Sequence, residues 1–247
     1  MLIRGIREHI TKQLDTEVTV LRKYRSESLT IEETNQNDEN LLKVVMNNLP
    51  LADIWIFENE LVHKSFPTKE LNEQKKAFTS MAEKVEKTVF YHHNNKLYVV
   101  MIEMKTTMNI DNFAHCNHKF ENSLATMSVF ISAHFDFTTF ENTEIQPIGV
   151  CCYNESDTSL SYYHRNKFVN EARETFKTKF ISQSQTTFIL EVEPLTLTKY
   201  AMPIIFCQNP NNPITTSFEI NFEEIIQRAE SIANTITNIP SKTLKDL

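Results

Sequence analysis

Glycine is almost missing from this chain: Gly5 and Gly149 are the only two in 247 residues, against a usual share of ~7%. Phosphate cradles of the Walker or Rossmann kind need several glycines so that backbone amides can approach a phosphate, which excludes nucleotide binding of either type. A Gly-x-Ser-x-Gly nucleophile elbow is excluded on the same ground. Asparagine stands where turns are expected, at Asn47-Asn48, Asn94-Asn95 and Asn209 to Asn212, and takes positions where glycine would otherwise supply positive φ. Long apolar runs are lacking too. No stretch approaches the roughly 18 to 20 residues needed to span a bilayer. The amino terminus, Met1 to His9, alternates charged and apolar residues and lacks the apolar core and cleavage site of a secretory signal. A cytoplasmic protein without membrane contact is expected. The four cysteines, at 116, 151, 152 and 207, show no paired-ligand spacing, so buried free thiols are expected rather than a disulfide framework or a zinc site. Positive charge is also in deficit: 25 Lys and Arg against 32 Asp and Glu leave a net charge of −7, which argues against nucleic-acid affinity built on bulk charge.

What is present centres on Lys96 to Thr107, the most apolar run in the first half of the molecule, in which the uncharged stretch after Lys96 is closed by Glu103 and Lys105. Thr88 to His92 precedes it across Asn94-Asn95, a dipeptide that tolerates positive φ between two β-rich runs, and this predicts a hairpin. Side chains two apart on a strand share a face. Glu103 and Lys105 therefore lie side by side with Val99 and Met101 behind them, while Tyr98, Val100, Ile102 and Met104 fill the other face. Glu-x-Lys also occurs at Glu73-Gln74-Lys75, but there in a polar stretch where a solvated helix is expected.

Periodicity predicts helices over 3 to 14 and 38 to 49, a short strand over 52 to 57, and charge-rich helical or loose chain over 69 to 87. A helix near 111 to 135 follows, with Phe113, Phe120, Leu124, Met127, Ile131 and Phe135 on one stripe. Strands are predicted near 145 to 153, 186 to 193 and 202 to 207, a basic helix over 161 to 180, and a last helix over 222 to 237. No internal repeat or linker marks a domain boundary.

The order of helix, strand with Asp53, hairpin strand ending in Glu103-x-Lys105, and amphipathic helix resembles the PD-(D/E)xK nuclease superfamily over residues 38 to 135. The proline that the family places directly before its first acid falls here at Pro50, three residues before Asp53. The resemblance implies an α/β fold of restriction-endonuclease-like type, a mixed central sheet flanked by helices. It implies a single domain over 1 to 247, with a nuclease-like core at about 38 to 155 and a strand and helix extension at about 156 to 247. Carried over, Asp53 and Glu103 are the metal-binding acids and Lys105 the catalytic lysine, with Mg²⁺ or Mn²⁺ as cofactor. The implied activity is phosphodiester hydrolysis, on DNA rather than RNA, in a defence or DNA-processing setting.

That chemistry needs these residue types. A hard divalent ion held by few carboxylates neutralises charge on the phosphoryl oxygens and activates a water. A lysine on the same face orients or deprotonates that water, or stabilises developing negative charge. Lys119, near the start of the following helix, and Arg165 and Lys167, on the basic one, are the candidate phosphate contacts. His115 and His118 share a helix face but lack a second ligand cluster, and Glu39 is a poor candidate for a further carboxylate. A chain this acidic is expected to need a homodimer mate or partner protein to grip nucleic acid. The alternative is a non-catalytic interaction subunit that retains the fold.

Overall fold

The computed structural model describes residues 21–32, 42–52, 54–57, 84–134, 143–156, 174, 180–184, 187–192, 200–210 and 217–234. Within them lie β1 (Leu21–Lys23), β2 (Leu29–Glu32), β3 (Lys43–Asn47), β4 (Ile54–Phe57), β5 (Lys87–His93), β6 (Lys96–Met108), α1 (Ile110–His134) and β7 (Glu144–Ser156). Then follow β8 (Phe180–Ser184), β9 (Thr187–Val192), β10 (Tyr200–Gln208), β11 (Ser217–Asn221) and α2 (Phe222–Ala233).

Eight strands form one mixed sheet in the order β1-β4-β5-β6-β7-β10-β9-β8, and β11-β3-β2 form a second sheet of three strands. The hairpin is built as its sequence predicts. Asn94 and Asn95 take φ 48° and 63°, the pair of positive values a two-residue turn needs to match the right-handed twist of its strands. This loop sets a register in which Phe90 faces Val99 and Lys87 faces Ile102. The positive-φ residues among the described ones are Asn48, Asn94 and Asn95, so asparagine does replace glycine at these turns. Asn95→Val should cost about 1–2 kcal/mol, because a Cβ-branched side chain clashes in the left-handed region. Asn95→Gly should cost nothing. Urea unfolding of both variants is the check, and equal midpoints would count against the turn's role.

From β6 the chain crosses over α1 to β7, which pairs parallel to β6, and β10 then pairs parallel to β7. The alternation of β6 is borne out. Val99 and Met101 pack with Phe113, Cys116, Phe120, Leu124 and Met127 of α1 in one core. Tyr98, Val100, Ile102 and Met104 pack on the opposite face, against Val44 and Met46 of β3, Phe218 and Ile220 of β11, and Phe222, Ile225 and Ala229 of α2. The sheet is thus covered by α1 on one face and by the small sheet with α2 on the other. Of the stripe predicted for 111 to 135, Phe113, Phe120, Leu124 and Met127 lie on the buried face of α1, and Ile131 and Phe135 lie outside the residues whose side chains are described. Its start is fixed where Asn109 Oδ1 accepts from the Asn112 N–H at 2.8 Å. At α2, Asn221 Oδ1 accepts from the Glu224 N–H at 3.3 Å, behind acids at 223 and 224; both suit the positive end of a helix.

One expectation is overturned. The helix predicted over 38 to 49 contains β3, which pairs antiparallel with β2 and parallel with β11. Val44-Val45 favours extended backbone, and a parallel partner 174 residues downstream supplies the ladder that local periodicity does not reveal. The strands predicted at 145 to 153, 186 to 193 and 202 to 207 correspond to β7, β9 and β10, and the last helix to α2. Residues 3 to 14, most of 69 to 87 and nearly all of 161 to 180 lie outside the described residues. Beyond residue 156, β10 joins the large sheet beside β7 and β11 joins the small one beside β3.

Candidate functional site

Glu103 is the one charged side chain among the described residues to be wholly buried. The odd-numbered face of β6 aims it at α1, opposite Cys151 of β7. Two ammonium groups converge on one of its oxygens: Lys105 Nζ lies 2.8 Å and Lys119 Nζ 2.7 Å from Oε1. Lys119 arrives from α1, one helical step beyond Cys116 and beside Phe120, both buried against the sheet. The same ammonium stands 3.9 Å from Glu86 Oε1, just before β5. The Ser123 hydroxyl of α1 accepts the Val85 N–H at 3.1 Å and so pins the start of β5 to the helix. The second oxygen, Glu103 Oε2, is buried without a hydrogen-bond partner among the described residues.

The electrostatics follow from this packing. Burial works to lower the Lys105 pKa, but the charge and hydrogen bond of Glu103 outweigh it, and the pKa rises above the ordinary lysine value. Lys105 thus holds its proton and acts as a cation. Burial and a hydrogen bond to Cys116 push the Cys151 thiol well up, so the floor under Glu103 is neutral. Two carboxylates and two ammoniums leave the cluster without net charge.

The structure therefore places Glu103 and Lys105 together on one face, as the strand period predicts, and adds Lys119, expected only as a phosphate contact, and Glu86. A signal for Glu86 existed in the sequence. The loop at Asn94-Asn95 pairs Lys87 with Ile102, so one residue further the same register sets Glu86 level with Glu103. Asp53, Arg165, Lys167 and Glu39 lie outside the described residues. Ile54, the neighbour of Asp53, is level with Tyr91 and through it with Tyr98, five residues before Glu103 and therefore roughly 17 Å along β6. His115 and His118 are exposed on α1.

Mg²⁺ or Mn²⁺ takes hard oxygen donors and retains several waters. The residues fit a sparse site of that kind: Glu103 Oε2 is an orphaned buried acceptor, and Glu86 offers a second carboxylate across the shared Lys119. No group of three or more His, Cys, Asp or Glu placed to hold an ion occurs among the described residues. No helix among them is long and apolar enough to cross a membrane. Comparison with protein-family models, with curated proteins and with solved structures finds no match to this chain.

Proposed function

We propose that the chain is a divalent-metal-dependent nuclease of restriction-endonuclease-like fold that hydrolyses phosphodiester bonds, DNA before RNA. The observation that carries this reading is the buried Glu103, with one oxygen held by two lysines and the other without a hydrogen-bond partner among the described residues. The succession of strand β4, hairpin β5-β6 and helix α1 supports it, because it follows the element order on which the resemblance rests after that order's first element, where strand β3 stands in place of a helix. Glu86 takes the place of second acid in this proposal, and Asp53 remains a candidate.

The bound ion would neutralise charge on the scissile phosphate and activate a water. The residues of the chain do the rest. Glu103 and Glu86 present oxygen donors, and Lys105, protonated, stabilises negative charge developing on the phosphoryl oxygens. Lys119, shared between the two acids, is placed to exchange a carboxylate oxygen for a phosphate oxygen when substrate enters.

The second reading is the non-catalytic interaction subunit, favoured by the same double pairing at Glu103 Oε1, which would then be a buried ion network that orders the core. Cleavage of plasmid DNA and of RNA with Mg²⁺ or Mn²⁺ separates the two. Lys105→Met and Glu86→Gln should each lower the DNA rate by roughly 10²-fold or more, with the fold retained by circular dichroism. Wild-type protein that cleaves neither substrate with either ion would leave the interaction subunit as the better reading.

A further inference from the structure

A second chemically distinct cluster lies on the other face of the large sheet. Cys152 of β7 and Cys207 of β10 are directly paired across the parallel ladder, and both face the core shared with α2. Cys152 is fully buried, whereas Cys207 is partly exposed and lines a cleft of about 790 Å³ together with Asn47, Glu219, Glu224 and Arg228. The Arg228 guanidinium lines the same cleft as Cys207.

We propose that Cys207 and Cys152 form a reversible dithiol centre that reduces a small hydroperoxide admitted through this cleft, with Cys207 as the attacking sulfur and Cys152 as the resolving one. The cleft gives an oxidant access to Cys207 and not to Cys152, which sets the order of attack. The hydrogen bond from Cys152 holds the Cys207 thiol below its ordinary range, and Arg228 acts in the same direction, against burial. Cys152, as the donor in that bond and by burial, is pushed well up and stays a thiol until needed. This is the asymmetry expected of an attacking and a resolving cysteine.

In the first step the Cys207 thiolate attacks a peroxide oxygen. An S–O bond forms to the hydroxyl oxygen, the O–O bond breaks, and hydroxide or alkoxide leaves with the electron pair and takes a proton from solvent, leaving Cys207 as the sulfenic acid. In the second, the Cys152 sulfur attacks the Cys207 sulfur. The S–S bond forms, the S–O bond breaks, and the departing hydroxide takes the Cys152 proton as water. Two thiols are oxidised by two electrons in all, and one hydrogen peroxide becomes two waters. Neighbouring strands lie about 4.8 Å apart, inside the ~4.4–6.8 Å Cα window for a disulfide. Cys116 and Cys151, on the opposite face of the sheet, are both fully buried, and they serve as an internal control.

The test is peptide mass spectrometry of the reduced full-length chain after hydrogen peroxide, without reductant. A Cys152–Cys207 crosslink reversed by dithiothreitol is expected, with Cys116 and Cys151 still thiols. Cys152→Ser should instead accumulate a Cys207 sulfenic acid trapped by dimedone, and Arg228→Gln should slow its formation roughly tenfold. Oxidation of Cys207 no faster than that of Cys116, or a crosslink joining any other pair, overturns the proposal, and both are read on wild-type protein.

Discussion

Glu103→Ala is expected to lower the unfolding free energy by about 3 kcal/mol, toward the lower end of what removing one partner of a buried ion pair costs. The carboxylate is fully buried, while its lysines keep 17% and 14% of their side-chain surface. Two ammonium groups would lose the oxygen that both now use, and partial exposure lets them recover some hydration, which sets the lower end. A triple variant, Glu103→Met with Lys105→Met and Lys119→Met, should recover most of that loss, since well-packed apolar groups often match or exceed a buried ion cluster in stability. Chemical denaturation of both variants decides this. A Glu103→Ala protein as stable as wild type would mean that the lysines find other partners and that the cluster does not order the core. The triple variant also divides structure from chemistry: under the nuclease reading it is stable and inactive, and under the interaction-subunit reading it keeps whatever binding the wild type has. A pH series adds a signed check. The folded Lys105 pKa lies above its ordinary value of 10.5, so its contribution is complete below that pH. It is lost as pH rises through the folded value. The stability gap between wild type and Lys105→Met should therefore hold at neutral pH and shrink only in strongly alkaline solution.

Gly149→Ala is expected to cost about 1–3 kcal/mol, the usual penalty of overfilling a packed core. A Cβ at this position would lie 2.6 Å from Ile204 Cδ1 and 2.9 Å from Phe120 Cε2. Gly149 sits mid-strand in β7, between Met101 of β6 and Ile204 of β10, and its φ is not positive. Its role is the missing side chain, which lets the Phe120 ring of α1 rest on the sheet. Two of the three contacts are to one rigid ring, so the strain cannot be relieved at a flexible tip alone. Gly149→Ala combined with Phe120→Leu should regain part of the loss, whereas Phe120→Leu alone should destabilise by leaving a void. Simple additivity of the two single effects in thermal unfolding would show that the contact is not the cause.

Much of this was legible in the residues, and each legible piece had a local cause. Asn94-Asn95 announced a two-residue turn, and its geometry fixes which residues of β5 and β6 face each other. Alternation along 96 to 106 assigned Glu103 and Lys105 to one face and Tyr98 to Met104 to the other. The spacing of Phe113, Phe120 and Leu124 revealed the buried stripe of α1, and Lys119 beside that stripe was already a candidate. The scarcity of glycine ruled out phosphate-cradling loops without any fold in view.

What only the tertiary structure decided rests on contacts between distant segments. Residues 43 to 47 carry a pattern compatible with a helix, and they are a strand because β2 and β11 bracket them. Glu86 follows from the hairpin register, but its nearness to Lys119 depends on how α1 lies across the sheet. Cys152 and Cys207 are 55 residues apart in sequence and become a pair only where β10 docks beside β7. By itself the sequence determined turns, faces and one acid beside one lysine, because these depend on neighbours along the chain. Which carboxylate, second lysine or thiol meets them was decided by the pairing of strands and the crossing of a helix, since such contacts exist only once the core has closed.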